Sequence, residues 1–422
     1  MKLLAGLFLL AATTLPPAAR AQILRPAPIV GLWTGTATIT PRDGTPQSVP
    51  VFLDLAGTPA NLKATLLNSA GSTPASAVSF TDNHLVLTFS YFARTLDVTL
   101  QDGALTGTFG GKRGGFSNIS LHRAAPAAAP RLTHADLLGD WEIATNSAKG
   151  EAAWQLRLAK SDDPHAAVRA VIQRIDGDTG ALYGSFDGDV LRVSHFTAAG
   201  PALYSITPKA DGTLLVANLL SAKAEPLIAR RPTEARKQNL APPTDTTQQT
   251  TVKDPAARVT FSFPDLNGKL VSNTDPQFDG KVVIVAIGGS WCPNCHDEAP
   301  FLVSLYKQFH SQGLEIVNLS FEEEDQLKNP TRLHAFIDRY HIRYTVLLAG
   351  TTDQLNEKVT QFNNLNCWPT AFFLGRDGRV KEIHAGYAGP GNPEANKALT
   401  HEVITLVQHL IAEPAPIQNA AR

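Results

Sequence analysis

The chain predicts a multidomain protein, an all-β N-terminal half of two tandem repeats followed by a C-terminal α/β layer domain. Three observations predict this. Residues 28–124 fall into short runs that alternate apolar and polar, separated by turn residues and without a helical period. Residues 131–230 read as a second copy, because Gly31-Leu32-Trp33 returns as Gly139-Asp140-Trp141 and Asp102-Gly103 returns as Asp211-Gly212, at an offset near 105 to 109 residues. From Ala257 onward, β-rich runs alternate with helical patterns, the signature of a layered α/β fold.

Taken in order, residues 1–21 have an early Lys, an apolar core from Leu3 to Ala12 and Ala19-Arg20-Ala21 before Gln22. That pattern predicts a cleaved secretory signal peptide, so the expected location is the periplasm or cell envelope, with a soluble mature chain. The apolar core is too short to span a bilayer. In the first repeat, Trp33–Ile39, Val49–Leu55 and Leu62–Leu67 alternate, and Leu85–Phe92, Leu96–Leu100 and Ala104–Phe109 are β-rich. Each repeat could form a small antiparallel barrel or sandwich, or the two could share one. Trp33, Trp141 and Trp154 are expected in the core. His84, His122, His134, His165 and His195 are scattered without ligand spacing and are expected at the surface. A ligand-binding role for the repeats stays open, and their partner is unknown. Residues 231–255, rich in Pro, Thr, Gln and charge, read as a linker.

Residues 256–412 carry the chemistry. Val282–Ile287 is a continuous apolar β-branched run, the pattern of a strand buried on both faces. Phe301, Leu302, Leu305, Tyr306 and Phe309 then repeat as one face of a helix. Between them lies Trp291-Cys292-Pro293-Asn294-Cys295-His296. Pro293 suits the first helical turn. Cys292 therefore sits at a helix N-terminus, where unpaired N–H groups and the helix dipole favour thiolate over thiol. A thiolate attacks disulfides, and Cys295, one turn on, can close a ring with Cys292 afterwards. Further elements follow: a strand at Leu314–Phe321, a helix to about Tyr340, a strand at Tyr344–Leu348, a helix from Thr352 to about Phe362, a hairpin of Thr370–Leu374 and Val380–His384, and a last helix from Glu394 to about Ile411.

Rival readings of the cysteines are weaker. Cys-Pro-Asn-Cys-His also fits c-type haem attachment, but the sole methionine is Met1, which leaves no Met as the second axial ligand. A zinc site needs four ligands, and Cys292, Cys295, Cys367 and His296 offer no second paired motif. A structural disulfide fits poorly at a strand-to-helix junction. No metal or cofactor is expected beyond a redox-active Cys292–Cys295 disulfide. Lys+Arg 37 against Asp+Glu 38, net −1, leaves no electrostatic footprint for nucleic acid.

The order of elements, the Trp-Cys-x-x-Cys-x-x-Glu-x-Pro run and the later Trp368-Pro369-Thr370 before a strand resemble the TlpA/ResA-like thiol–disulfide oxidoreductases of the thioredoxin superfamily. The resemblance covers about residues 255–412 and none of the β repeats. It implies a thioredoxin-like fold, with Cys292 as attacking thiol, Cys295 as resolving thiol and Pro369 as a cis-proline facing them. It also implies Glu298 as an acidic group that relays a proton to or from Cys295. The loop at Pro369 would expose a backbone edge that holds a substrate's extended chain, with Trp291, Pro293 and Trp368 alongside. Three departures stand out. Ile287-Gly288-Gly289-Ser290 replaces Phe-Trp-Ala-Ser/Thr, which would loosen the strand end; Trp368 stands where smaller residues are usual; and Cys367 raises the question of a third redox group. Cys367 is expected close to the pair but unbonded, a modulator at most.

The expected function is exchange of protein thiols and disulfides, with reduction favoured by the resemblance. An exported reductase needs a membrane thiol donor. Two alternatives are a peroxiredoxin-type thiol peroxidase, although Pro-x-x-x-Thr-x-x-Cys is absent, and a non-enzymatic cell-envelope binding protein that uses the β repeats.

Overall fold

The structure is a computed structural model that describes residues 29–414, apart from 43, 59, 69–70, 113–114, 126–129, 179 and 222. The signal peptide expected at residues 1–21 lies outside the described residues. Among the described residues, no helix is long and apolar enough to cross a membrane.

The first repeat is an open, nine-stranded antiparallel meander in which Gly31–Ile39 pairs with both Gln47–Thr58 and Phe116–Arg123. The second is a closed barrel of eight strands, sealed where Gly139–Ala144 meets Leu227–Arg230. A shared local motif supports their duplication. The Trp33 and Trp141 indoles each donate to the carbonyl four residues earlier, at 2.7 and 2.9 Å. The Arg123 and Arg231 guanidiniums lie over those rings at 4.7 and 3.9 Å, and the same offset separates both pairs. Trp33 and Trp141 are buried as expected, whereas Trp154 is half-buried beneath Arg174. The two modules share a core, since Phe196 and Leu203 of the barrel pack with Phe109 and its neighbours in the open sheet. His195 corrects the surface reading of the histidines. It is buried, and burial lowers its pKa to about 4. Its strand, Val190–Thr197, packs against the other module, so a face that local pattern assigns to solvent is covered.

The C-terminal domain is a five-stranded mixed sheet in the order Thr345–Thr351, Leu314–Glu322, Val282–Gly288, Thr370–Leu374, Val380–Ala385. The first three strands are parallel and the last two antiparallel, which is a thioredoxin-like arrangement. Val282–Gly288 is buried throughout. Alternate residues face helices Pro293–Phe309, Thr331–Tyr340 and Pro393–Ala412 on one side, and Val259, Phe261, Leu355 and Phe362 on the other. That double cover explains the continuous apolar run in the sequence.

Two elements differ from expectation. The helix expected from Thr352 to Phe362 is only a 3₁₀ turn plus Leu355–Lys358, because Phe362–Asn363 is drawn into a strand pair with Thr251–Val252. The connection read as a linker is packed. It carries a helix at Pro232–Lys237, and buried Gln249 donates to Asn366 at 3.0 Å and to the Lys149 carbonyl at 2.8 Å.

Candidate active site

Cys292 caps the helix Pro293–Phe309, with Pro293 in its first turn. Its sulfur accepts the Cys295 N–H at 3.2 Å, and its carbonyl accepts the N–H groups of Cys295 and His296. The two cysteines are joined in a disulfide, with Cα atoms 5.2 Å apart. This is the strand-to-helix placement that favours a thiolate on reduction.

The segment before the cysteines is pinned by a buried polar network. Glu322 accepts from the Ser290 N–H at 2.7 Å, the Ser290 hydroxyl at 2.8 Å and the Ser320 hydroxyl at 2.8 Å. Arg332 donates to Glu322 at 2.8 Å and to the Ser290 hydroxyl at 2.7 Å, and it also pairs with Glu323. The carboxylate and guanidinium satisfy each other, which is what lets two charges stay buried. The Trp291 indole donates to the Phe321 carbonyl at 2.8 Å. Gly288 and Gly289 tighten this corner instead of loosening it. A Cβ on Gly289 would lie 2.5 Å from the Phe321 carbonyl oxygen, and one on Gly288 would lie 3.3 Å from the Cys295 sulfur.

The Trp368–Pro369 peptide is cis. Trp368 packs edge-on against Trp291 and Phe321, so it forms a wall of the site rather than a free platform. Cys367 is fully buried beside Ile175 and Ala385 and makes no disulfide. Burial, reinforced by Asp176, pushes its thiol up to about 12, which makes it a poor nucleophile at neutral pH.

Glu298 lies one turn beyond Cys295 on the same helix and is buried. Burial pushes its pKa up to about 8. Its neighbour Asp297 is also raised to about 8, by burial and then by the charge of Asp178. A carboxyl that titrates near neutral pH is suited to exchange a proton with a thiol.

The surroundings of His296 were invisible to spacing. His296 is held by its Nε2 against the Ser290 carbonyl at 2.9 Å and by its Nδ1 against the Tyr340 hydroxyl at 3.1 Å. Burial lowers its pKa to about 3, and Arg332 and Arg339 push the same way. A neutral ring engaged at both nitrogens is a structural spacer and not a free metal ligand. Phe92 of the open sheet stacks on it at 4.0 Å. The expected strand Leu85–Phe92 ends at Phe89, and the 3₁₀ turn Ser90–Phe92 delivers this ring. Asp176 of the barrel also reaches the site. The cysteine motif with Glu298 and the Trp368-Pro369 segment pointed here; Glu322, Arg332, Phe92 and Asp176 come from distant positions with no local motif.

Away from the cysteines, Glu382, His384 and Glu402 bring ligand atoms within 4.8 Å of one another, and His384 Nε2 lies 2.9 Å from Glu382. A cavity of about 630 Å³ opens between the two β modules, lined by Leu32, Phe52 and Leu67 on one side and Tyr183, Phe186 and Phe196 on the other.

Comparison with known proteins finds similarity in the C-terminal domain. Residues 252–383 match the model of the AhpC/TSA family. The thiol-disulfide oxidoreductase ResA of Bacillus subtilis (strain 168) is 28% identical over 148 residues, which are 35% of this chain and 72% of that protein. The C-terminal domain is similar to ResA. The ResA of Bacillus thuringiensis subsp. konkukian is 31% identical over 121 residues, 28% of this chain and 62% of that protein. With several of these relatives, the match therefore spans less than two thirds of their length. Among solved structures, a thioredoxin family thiol:disulfide interchange protein from Chlorobium tepidum is 22% identical and covers 38% of this chain and 99% of its own, with a TM-score of 0.29. A DsbF homologue from Corynebacterium diphtheriae is 17% identical and covers 40% and 96%, with a TM-score of 0.31.

Proposed function

We propose that the protein is an exported thiol–disulfide oxidoreductase that reduces disulfides in polypeptides through Cys292 and Cys295. The observation that carries this reading is the Cys292–Cys295 disulfide at a helix N-terminus, with Cys292 as the helix cap. The reduced form starts the cycle. The Cys292 thiolate attacks one sulfur of the substrate disulfide and expels the other as a thiolate, which takes up a proton. Cys295 then loses its proton and attacks Cys292, releasing the second substrate thiol. Two electrons pass to the substrate, and the enzyme leaves as the disulfide. A membrane-bound dithiol donor would have to return those electrons.

Glu298 supports the resolving step as the nearby group able to take the Cys295 proton. The relatives named thiol-disulfide oxidoreductase ResA support thiol–disulfide exchange as the reaction class. Although the matching family model is named for AhpC/TSA, the peroxidase reading is less favoured, because the peroxidatic sequence pattern is missing. The signal-peptide pattern in the sequence of residues 1–21 supports export.

The test is insulin reduction with dithiothreitol as donor, alongside the reduction potential of the pair. Turnover lost in Cys292→Ser, with a potential near the thioredoxin end of the scale at about −270 mV, supports the reading. A potential near −120 mV reverses the direction to oxidation.

A further inference from the structure

The edge expected to receive a substrate chain is already occupied by the protein itself. The turn at residues 174–178, between barrel strands Val168–Gln173 and Leu182–Asp187, lies across the cis-proline loop. The Trp368 N–H, next to the cis-proline, donates to the Asp176 carboxylate at 2.9 Å. The Asp176 carbonyl accepts from the Asn294 side chain at 2.9 Å and from the Tyr387 N–H at 3.0 Å. Gly177 pairs with Tyr387 as a parallel bridge. Ile175 packs on Cys367 and Ala385, directly beneath the loop.

The fit is close. A Cβ on Gly177 would lie 2.3 Å from the Tyr387 carbonyl oxygen and 2.8 Å from Asn294. The turn is also fixed from behind. Arg174 and Gly177 exchange two backbone bonds, the Ile175 N–H donates to Glu151 at 2.7 Å, and Lys149 pairs with Asp176. Asp178 continues the seam by accepting the Asn392 N–H at 3.0 Å.

Resting on the function proposed above, we infer that the turn at residues 174–178 is a tethered competitor for the polypeptide-binding edge and that Asp176 determines substrate specificity. An extended chain must displace the Asp176 carboxylate to reach the Trp368 N–H. A small disulfide without a peptide backbone makes no use of that donor. The second β repeat thus acts as a selector built into the enzyme. Weakening the turn raises the fraction of molecules competent to bind a chain and lowers the apparent KM by that factor.

The test compares full-length wild type, Asp176→Asn, Asp176→Ala and Gly177→Val, each with its melting temperature recorded. The substrates are insulin and the small aromatic disulfide 5,5′-dithiobis(2-nitrobenzoate). Asp176→Ala should raise kcat/KM for insulin roughly tenfold through KM, the scale of one charge-assisted hydrogen bond. Its rate with the small disulfide should move less than about twofold, well below that bond's effect. Asp176→Asn keeps a neutral acceptor for the Trp368 N–H and should fall between wild type and Asp176→Ala. Gly177→Val acts as a wedge and should follow Asp176→Ala, giving a second route if that variant is unstable. Hydrogen exchange at the Trp368 amide should quicken in both. Insulin turnover that is unchanged or lower in both folded variants overturns the selector while leaving thiol exchange standing. Absence of turnover with either disulfide in every variant overturns both.

Discussion

Glu298 shows how one residue links burial, stability and chemistry. Its folded-state pKa of about 8 lies above its ordinary value, and burial is the cause. The unfolded chain releases this proton near pH 4, whereas the folded chain holds it until near pH 8. The folded state therefore binds more protons across that window, and stability falls as pH rises through it. Asp297 acts in the same sense. Glu298→Gln should melt higher than wild type at pH 8 and at the same temperature at pH 4. The same variant should slow the resolving step by roughly tenfold or more, because a general base is gone. It should also flatten the rise of rate toward pH 8, read by stopped-flow exchange. Equal melting curves at pH 8 would remove the case for a buried neutral carboxyl. Cys367 gives the complementary expectation. With its thiol held near 12, Cys367→Ala should keep disulfide reduction within about twofold of wild type.

Among the elements, the strand Val282–Gly288 and the helix after it were legible in the sequence because each advertises itself locally. A strand covered on both faces must be continuously apolar, and a helix with one covered face must repeat every three or four residues. The corner between them was not legible. Ser290, Glu322 and Arg332 come from three elements, and nothing in the spacing of 290, 322 and 332 announces a shared network. The glycines were misread for the same reason, since their need for close approach depends on the Phe321 carbonyl from a neighbouring strand. Glu322→Ala leaves the Arg332 guanidinium without its fully buried partner. About 3–5 kcal/mol of unfolding free energy should be lost, measurable by denaturant titration. Gly289→Ala should cost about 1–3 kcal/mol by crowding that carbonyl. A cost below 1 kcal/mol for Glu322→Ala would mean that the network does not hold the corner.

For the whole molecule, the duplication of the β repeats was readable from Gly-x-Trp and Asp-Gly, but their roles were not. One copy is open and the other closed, although both carry the same Arg-over-Trp stack between their two ends. Both meet the thioredoxin-like domain at its cysteines, one through Phe92 on His296 and the other through Asp176 on Trp368. Such contacts join residues far apart in the chain and leave no periodic trace. The cysteine motif and the cis-proline loop are thus contacted by domains that carry no cysteine of their own.

The chemistry itself rests on Cys292 as the attacking sulfur, and a trapping measurement tests that most directly. The reduced Cys295→Ala variant is incubated with a disulfide-bonded polypeptide such as insulin, and the adduct is digested and sequenced by mass spectrometry. A mixed disulfide between Cys292 and a substrate cysteine, absent in Cys292→Ser, is the expected result. An adduct through Cys367, or none from a variant whose Cys292 thiol is demonstrably free and reactive with iodoacetamide, would contradict the mechanism.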